Sequence, residues 1–359
     1  AIFSQNLNQF TEAEKYYKLY INKLSILANT SPDAYESYMA ESYINLGILY
    51  NVTRRFSDSE QMYNSALEIY KRLSETNPQV YELKLAGNYN NLGILYRDIQ
   101  RFADSEQMYN SALEIYKRLA ETNPQDYESN LAVGYINLGI LYSDIQRFSD
   151  SEQMYNSALE IYKRLIETNP QIYEPNLAVI YNNLGLLYSS TQRFAKSEQL
   201  HKFALEIRKR LAGTNPQSYE PYLATSYNNL GLLYRDMQRF ADSEQMYNSA
   251  LKIYKRLSET NPQVYDSDLG DSYNNLGVLY SDMQRFSDSE QMFNSALEMR
   301  KRLAETNPQV YEPTLAMSYN NLGFLYHDTQ RFTDSEQMYN SALKIYKRLS
   351  ETTPQVYEP

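Results

Sequence analysis

The chain has 359 residues, no cysteine, no tryptophan and a formal net charge of -10. The missing thiols exclude disulfides, thiolate metal sites and cysteine nucleophiles, and the acidic balance argues against nucleic acid and anionic membrane surfaces, which both recruit cationic side chains. No run approaches the roughly 18 apolar residues of a membrane span, and Ala1 to Phe10 lacks the basic-then-apolar order of a signal peptide. A soluble chain is expected, cytoplasmic by preference.

The first stretch is the most divergent: Ala1 aligns with Gly47, halfway through a helix, and Tyr20 stands where later copies have Ala66 or Ala112. From there Asn-Leu-Gly, two residues after a Tyr, returns every 46 residues, at Gly47, Gly93, Gly139, Gly185, Gly231, Gly277 and Gly323. A period of this size means stacked supersecondary units that bury a continuous core against their neighbours.

In the copy around Ala86, Tyr89, Leu92, Gly93 and Tyr96 fall at i, i+3, i+4 and i+7, one face of an amphipathic helix, here called helix A. After a turn at Gln100-Arg101, the positions Phe102, Ser105, Met108, Tyr109, Ala112, Leu113, Tyr116 and Leu119 predict a second helix, B. Helix B opens with Asp104 and Glu106 and carries Lys117 and Arg118 later, the order that suits a helix dipole. Asn123-Pro124 predicts its stop, because the residue before a proline is pushed out of αR. At about 1.5 Å per residue, a helix B of roughly 19 residues is about 28 Å long. Later prolines such as Pro175, Pro221, Pro313 and Pro359 predict the first turn of the next helix A.

Tyr89, Leu92, Gly93, Tyr96, Ser105, Tyr109 and Ala112 resemble the tetratricopeptide repeat pattern. The longer unit, with Asn-Asn-Leu-Gly in helix A and Asn-Pro after helix B, resembles the kinesin light chain type and similar bacterial repeats. The resemblance covers essentially all of residues 1–359 and implies an all-α fold, an α-α superhelix of about seven and a half helix-turn-helix repeats of 46 residues in a single array. The family's proline at the end of helix B is Lys117 here, and Ser105 stands where Ala is commoner. Because both ends fall inside a repeat, the chain reads as a fragment of a longer protein. An uncovered last helix B, near Phe332, Tyr339, Leu343, Tyr346 and Leu349, predicts end-to-end self-association or cover by the Pro354 to Pro359 tail.

The resemblance also implies a protein or peptide segment as partner, bound on the helix-A face that lines the concave groove. That face carries Asn45, Asn91, Asn137, Asn183, Asn229, Asn275 and Asn321, flanked by Asn182, Asn228 and Asn274 and followed by an aliphatic row from Ile94 to Phe324. An amide side chain suits the task, since it donates to a peptide carbonyl and accepts from a peptide N–H whatever the sequence. The competing structural reading has the same amides bonding a neighbouring helix. Two columns vary: Arg97, Arg235 and His327 stand in one near the end of helix A, and Glu41, Gly87, Val133, Val179, Thr225, Asp271 and Met317 in one near its start. They make a groove of uneven charge in which Arg97 and Arg235 pair carboxylates.

One helix B departs from the rest. Lys196, His201, Lys202, Phe203 and Arg208 replace the usual Asp, Tyr, Asn, Ser and Tyr, a basic island on an acidic chain and a candidate docking patch. Enzymatic chemistry finds no support: His201 and His327 replace repeat residues, the carboxylates recur as part of the unit, and neither a metal nor a cofactor site is discernible. The reading is a binding scaffold; the alternative is a regulatory or sensor arm of a larger signalling protein whose effector domain lies outside this fragment.

Overall fold

The computed structural model describes residues 7–29 and 31–352, which form fifteen α-helices and, among the described residues, no strand. In chain order they are α1 (Leu7–Ala28), α2 (Pro32–Val52), α3 (Phe56–Thr76), α4 (Pro78–Asp98), α5 (Phe102–Thr122), α6 (Pro124–Asp144), α7 (Phe148–Thr168) and α8 (Pro170–Ser190). There follow α9 (Phe194–Thr214), α10 (Pro216–Asp236), α11 (Phe240–Thr260), α12 (Pro262–Asp282), α13 (Phe286–Thr306), α14 (Pro308–Asp328) and α15 (Phe332–Thr352). The chain divides into two compact units, Leu7–Glu174 and the residues from Pro175 onward, with the boundary inside α8. Within each unit, helices pack mainly on their sequence neighbours as in a tetratricopeptide-like solenoid, even-numbered helices serving as A and odd-numbered ones as B.

Two linkers alternate. Each A-to-B turn holds one residue in the left-handed region, Gln100 at φ 60° and Gln192 at φ 57° among them. Gln100 N–H then donates to the Arg97 carbonyl at 3.0 Å and Arg101 N–H to the Tyr96 carbonyl at 2.7 Å, the paired bonds that close a Schellman turn. From α3 onward, B passes to A through a single residue: Asn123 ends α5 and begins α6. The proline after it occupies the first turn of helix A, where a missing N–H leaves no bond unmade.

This moves one expectation. Helix A starts at the Asn-Pro proline, so Pro175, Pro221 and Pro313 lie inside α8, α10 and α14 rather than at their starts. Helix B, at 21 residues in α5, is also slightly longer than its spacing suggests. Ala1 and the Pro354 to Pro359 segment lie outside the described residues, while in α15 Phe332, Tyr339 and Leu343 are exposed and Leu349 is buried.

The repeat residues hold A against B. A Cβ on Gly93 would stand 2.6 Å from ring carbons of Tyr109, and one on Gly231 equally close to Tyr247. Only glycine lets the aromatic ring lie on the helix-A backbone. Beside it the Ser105 hydroxyl donates to the Gly93 carbonyl at 2.7 Å, and Ser243 repeats the bond to Gly231 at 2.7 Å. Serine in place of the commoner alanine therefore adds a buried interhelical hydrogen bond.

Successive repeats are joined by a polar lock that periodicity does not reveal. Tyr96 Oη donates to Glu60 at 2.9 Å, Arg101 stacks 4.3 Å from the Tyr96 ring centre, and its Nη1 reaches the same carboxylate at 2.8 Å. The Arg101 Nε binds Asp104 at 2.7 Å. The same four residue types recur as Tyr234, Arg239, Glu198 and Asp242 in the second unit. Burial, with the hydrogen bond to Glu60 adding to it, pushes the Tyr96 hydroxyl up to about 12, so it stays a donor at neutral pH.

Candidate functional site

In the unit from Pro175, Asn183 on α8, Asn229 on α10 and Asn275 on α12 stand one repeat apart. All three are half-buried, and among the described residues none has a side-chain hydrogen bond. Asn321 differs: its Nδ2 donates to Asn274 Oδ1 at 2.6 Å on the neighbouring helix A. In the unit Leu7–Glu174, Asn137 likewise donates to Asn90 at 2.8 Å, Asn91 is half-buried without a partner, and Asn45 is exposed. The column is thus mixed, with some amides closing A-to-A contacts and others presenting both a donor and an acceptor. Beside the second-unit row, Leu186 is exposed and Leu232 and Val278 are half-buried.

The flanking asparagines do not share one role. Asn182 is 6% exposed and its Oδ1 lies 3.0 Å from His201 Nδ1, so it faces helix B and leaves the candidate face. Asn228 is half-buried, with a buried Oδ1 that has no partner. Arg97 and Arg235 already have acids nearby: Arg97 lies 3.4 Å from Asp98 and 3.7 Å from Asp144, and Arg235 lies 3.4 Å from Asp236 and 3.6 Å from Asp282. His327 is exposed beside Asp328, its ring edge-on to Phe332 at 5.7 Å.

The basic island on α9 is not one surface. His201 and Arg208 are 1% and 5% exposed, so neither adds its charge to an exposed basic surface. His201 occupies the place of the usual tyrosine over Gly185, its ring 2.7 Å from where a Cβ would stand. The Asn182 carbonyl oxygen accepts from Nδ1–H, which leaves Nε2 buried and without a partner. Burial pushes the imidazole down to about 4, so it is neutral at physiological pH. The exposed members are engaged within the protein: Lys202 pairs with Glu198 on α9 at 2.7 Å, while Lys196 lies 5.6 Å above the Tyr188 ring of α8 and Phe203 packs 5.5 Å from Tyr181 of α8.

Arg208 and its equivalent Arg300 are the charged residues that sequence reasoning underused. Each replaces a buried tyrosine of helix B, and each sends Nη1 to a hydroxyl on the next helix A, Ser226 at 2.8 Å and Ser318 at 2.8 Å. The same nitrogens reach the Tyr222 carbonyl at 3.0 Å and the Thr314 carbonyl at 3.2 Å. Only Arg300 has an acid, with Nη2 at 2.5 Å from Asp271. The detectable signal was a double departure, arginine in a tyrosine column with or without an acid 29 residues earlier. Among the described residues, no group of His, Asp and Glu is arranged to hold a metal, and no helix is long and apolar enough to cross a membrane.

Comparisons with known proteins agree with this architecture. BtubC (BKLC) from P. vanneervenii is 26% identical and superimposes with a TM-score of 0.54 over 73% of this chain and 94% of its own. RapI in its apo form is 14% identical, with a TM-score of 0.60 over 87% and 99% of the two chains. A Rap protein solved with Competence and Sporulation Factor gives 15% identity and a TM-score of 0.59 over 97% and 88%. Comparison with curated proteins by sequence finds no match. Two family models described as tetratricopeptide repeat match residues 84–164, 176–256 and 222–302, and residues 39–78 and 315–353. With those matches running through most of its length, the chain belongs to the tetratricopeptide repeat family, a fold that serves as a protein-interaction scaffold.

Proposed function

We propose that the protein binds an extended protein or peptide segment on the helix-A face that the family resemblance assigns to the concave groove. The carrying observation is the row Asn183, Asn229 and Asn275: half-buried amides without intramolecular partners, spaced by one repeat beside an aliphatic strip. A half-buried amide with no protein partner offers its donor and acceptor to a ligand backbone, and withdrawing that amide weakens the complex more than the fold. The Rap conjugation gene regulator of the plasmid pLS20, solved in complex with the Phr* peptide, is a distant likeness in which this kind of fold accompanies a peptide.

The test is a random-peptide display selection against the whole chain, followed by affinity measurement with the Asn183→Ala, Asn229→Ala double variant. Two lost neutral hydrogen bonds correspond to a weakening of roughly tenfold or more. Melting should change little, because neither side chain bonds the protein. Unchanged affinity, or a collapse of the fold, would assign the amides a structural role and remove the basis of this reading.

A further inference from the structure

Within the unit from Pro175, the same substitution of a buried tyrosine by arginine occurs at Arg208 and Arg300, and the two copies differ in one respect that bears on ligand recognition. Arg300 is 3% exposed and meets the Asp271 carboxylate, whose side chain is 54% exposed. The point where guanidinium and acid meet therefore opens to solvent. At Arg208 the residue equivalent to Asp271 is Val179, and among the described residues no carboxylate lies within ion-pair distance. Among the described residues only Nη1 is used, toward Tyr222 and Ser226, and Nε and Nη2 have no partner. A buried charge left without a counter-charge is strongly unfavourable, and it draws an anion of matching geometry. Burial already pushes the guanidinium down to about 10, still a cation at neutral pH.

Val179 and Asn183 are four residues apart on α8 and so share a helix face, which puts the open side of Arg208 one turn from the first amide of the proposed binding row. The exposed ring of Tyr222 flanks it, 5.9 Å from the guanidinium carbon. The geometry points to Arg208 as the receptor for a carboxylate of the bound segment, an acidic side chain or a chain terminus, which completes from outside the ion pair that Asp271 completes from within at Arg300. This rests on the groove reading above and adds to it a fixed register for one acid.

Val179→Asp is the decisive variant, since it supplies internally the acid that a ligand would bring and copies a pair the protein already tolerates. In the whole chain labelled with ¹⁵N-arginine, the Arg208 signal, identified by its loss in Arg208→Lys, should shift saturably on titration with N-acetyl-aspartate methylamide. The Arg300 signal should not move, and in Val179→Asp the Arg208 signal should resemble that of Arg300 and no longer respond. Display-selected peptides should carry Asp, Glu or a free C-terminus at one position, and lose at least ~10-fold in affinity for Val179→Asp, as expected of a charge-assisted bond. Asp→Asn exchange and C-terminal amidation of the peptide distinguish the two sources of the carboxylate. An Arg208 signal that ignores the probe in the parent chain, or responds equally in Val179→Asp, overturns the proposal. So does a selected acid whose contribution survives Val179→Asp. If Val179→Asp leaves affinity intact while the asparagine double variant lowers it, the groove stands and Arg208 is structural. If the asparagine variant binds normally while Val179→Asp abolishes the preference for acid, Arg208 stands and the amide row does not.

Discussion

The helix trios α8–α10 and α12–α14 occupy equivalent places two repeats apart, and their inner residues were exchanged in different ways. Gly185 and Gly277 match, as do Arg208 and Arg300, but His201 stands opposite Phe293 and Val179 opposite Asp271. In the second trio the departures are self-contained: an apolar ring covers the glycine, and an acid neutralises the buried cation. In the first, each departure leaves something open, a bare imidazole nitrogen at His201 and an unpaired guanidinium at Arg208. A backbone this regular tolerates polar replacements in its core when a neighbour completes them, and the uncompleted ones mark where the copies can acquire separate roles.

Acid should separate the trios most. Burial holds His201 at about 4 against an ordinary value of 6.5. Between those values the unfolded chain takes up a proton that the folded chain refuses, so stability is full above the upper value and falls as pH drops through the window. The loss reaches at most about 3 kcal/mol. Hydrogen-exchange protection of α9 amides should therefore fall from pH 7 to pH 4 relative to α13, and His201→Phe should remove the difference. An α9–α13 difference that persists in His201→Phe would break the contrast between His201 and Phe293.

The glycines should show instead what the trios share. Gly185→Ala and Gly277→Ala each drive a Cβ against a ring, at 2.7 Å and 2.5 Å, and should cost about 2 kcal/mol in thermal or chemical denaturation. Gly270→Ala, whose nearest neighbour would be 3.8 Å away, should stabilise by roughly 0.5–1 kcal/mol through helix propensity. A smaller effect should come from the ion pair: Asp271→Val converts the Arg300 site into a copy of the Arg208 site and should lower stability by about 1 kcal/mol, a modest figure because the acid is half exposed. If Asp271→Val is neutral, solvent alone satisfies such an arginine and the contrast with Arg208 weakens. The smallest effect should be symmetrical. Gln192 and Gln284 both sit at φ 57°, and replacing either with glycine should stabilise by up to about 1 kcal/mol, equally in the two trios.

The pairing of helices was readable because a 46-residue period repeats the same apolar spacing, and each copy confirms the others. The start of helix A was misplaced because two prolines compete for it; Pro170 suits a first turn, and Pro175 then falls inside the helix despite its missing donor. The binding face was partly legible. The asparagine column stood out, but whether an amide is paired depends on the residue one repeat back: Asn274 offers its oxygen to Asn321, whereas Asn182 turns its oxygen to His201 and leaves Asn229 open.

Period, composition and turn residues by themselves determined that this chain is a run of helical hairpins with glycine and tyrosine at each crossing, since those choices answer to local geometry repeated along one dimension. Tertiary structure decided everything that depends on which helix lies behind a residue. It buried His201 and Arg208 where a basic surface was expected, joined Tyr96, Glu60 and Arg101 across a repeat boundary, and gave Arg300 an acid that Arg208 lacks. The physical reason is that burial and charge compensation are properties of a neighbourhood built from three helices, whereas periodicity reports only one helix at a time.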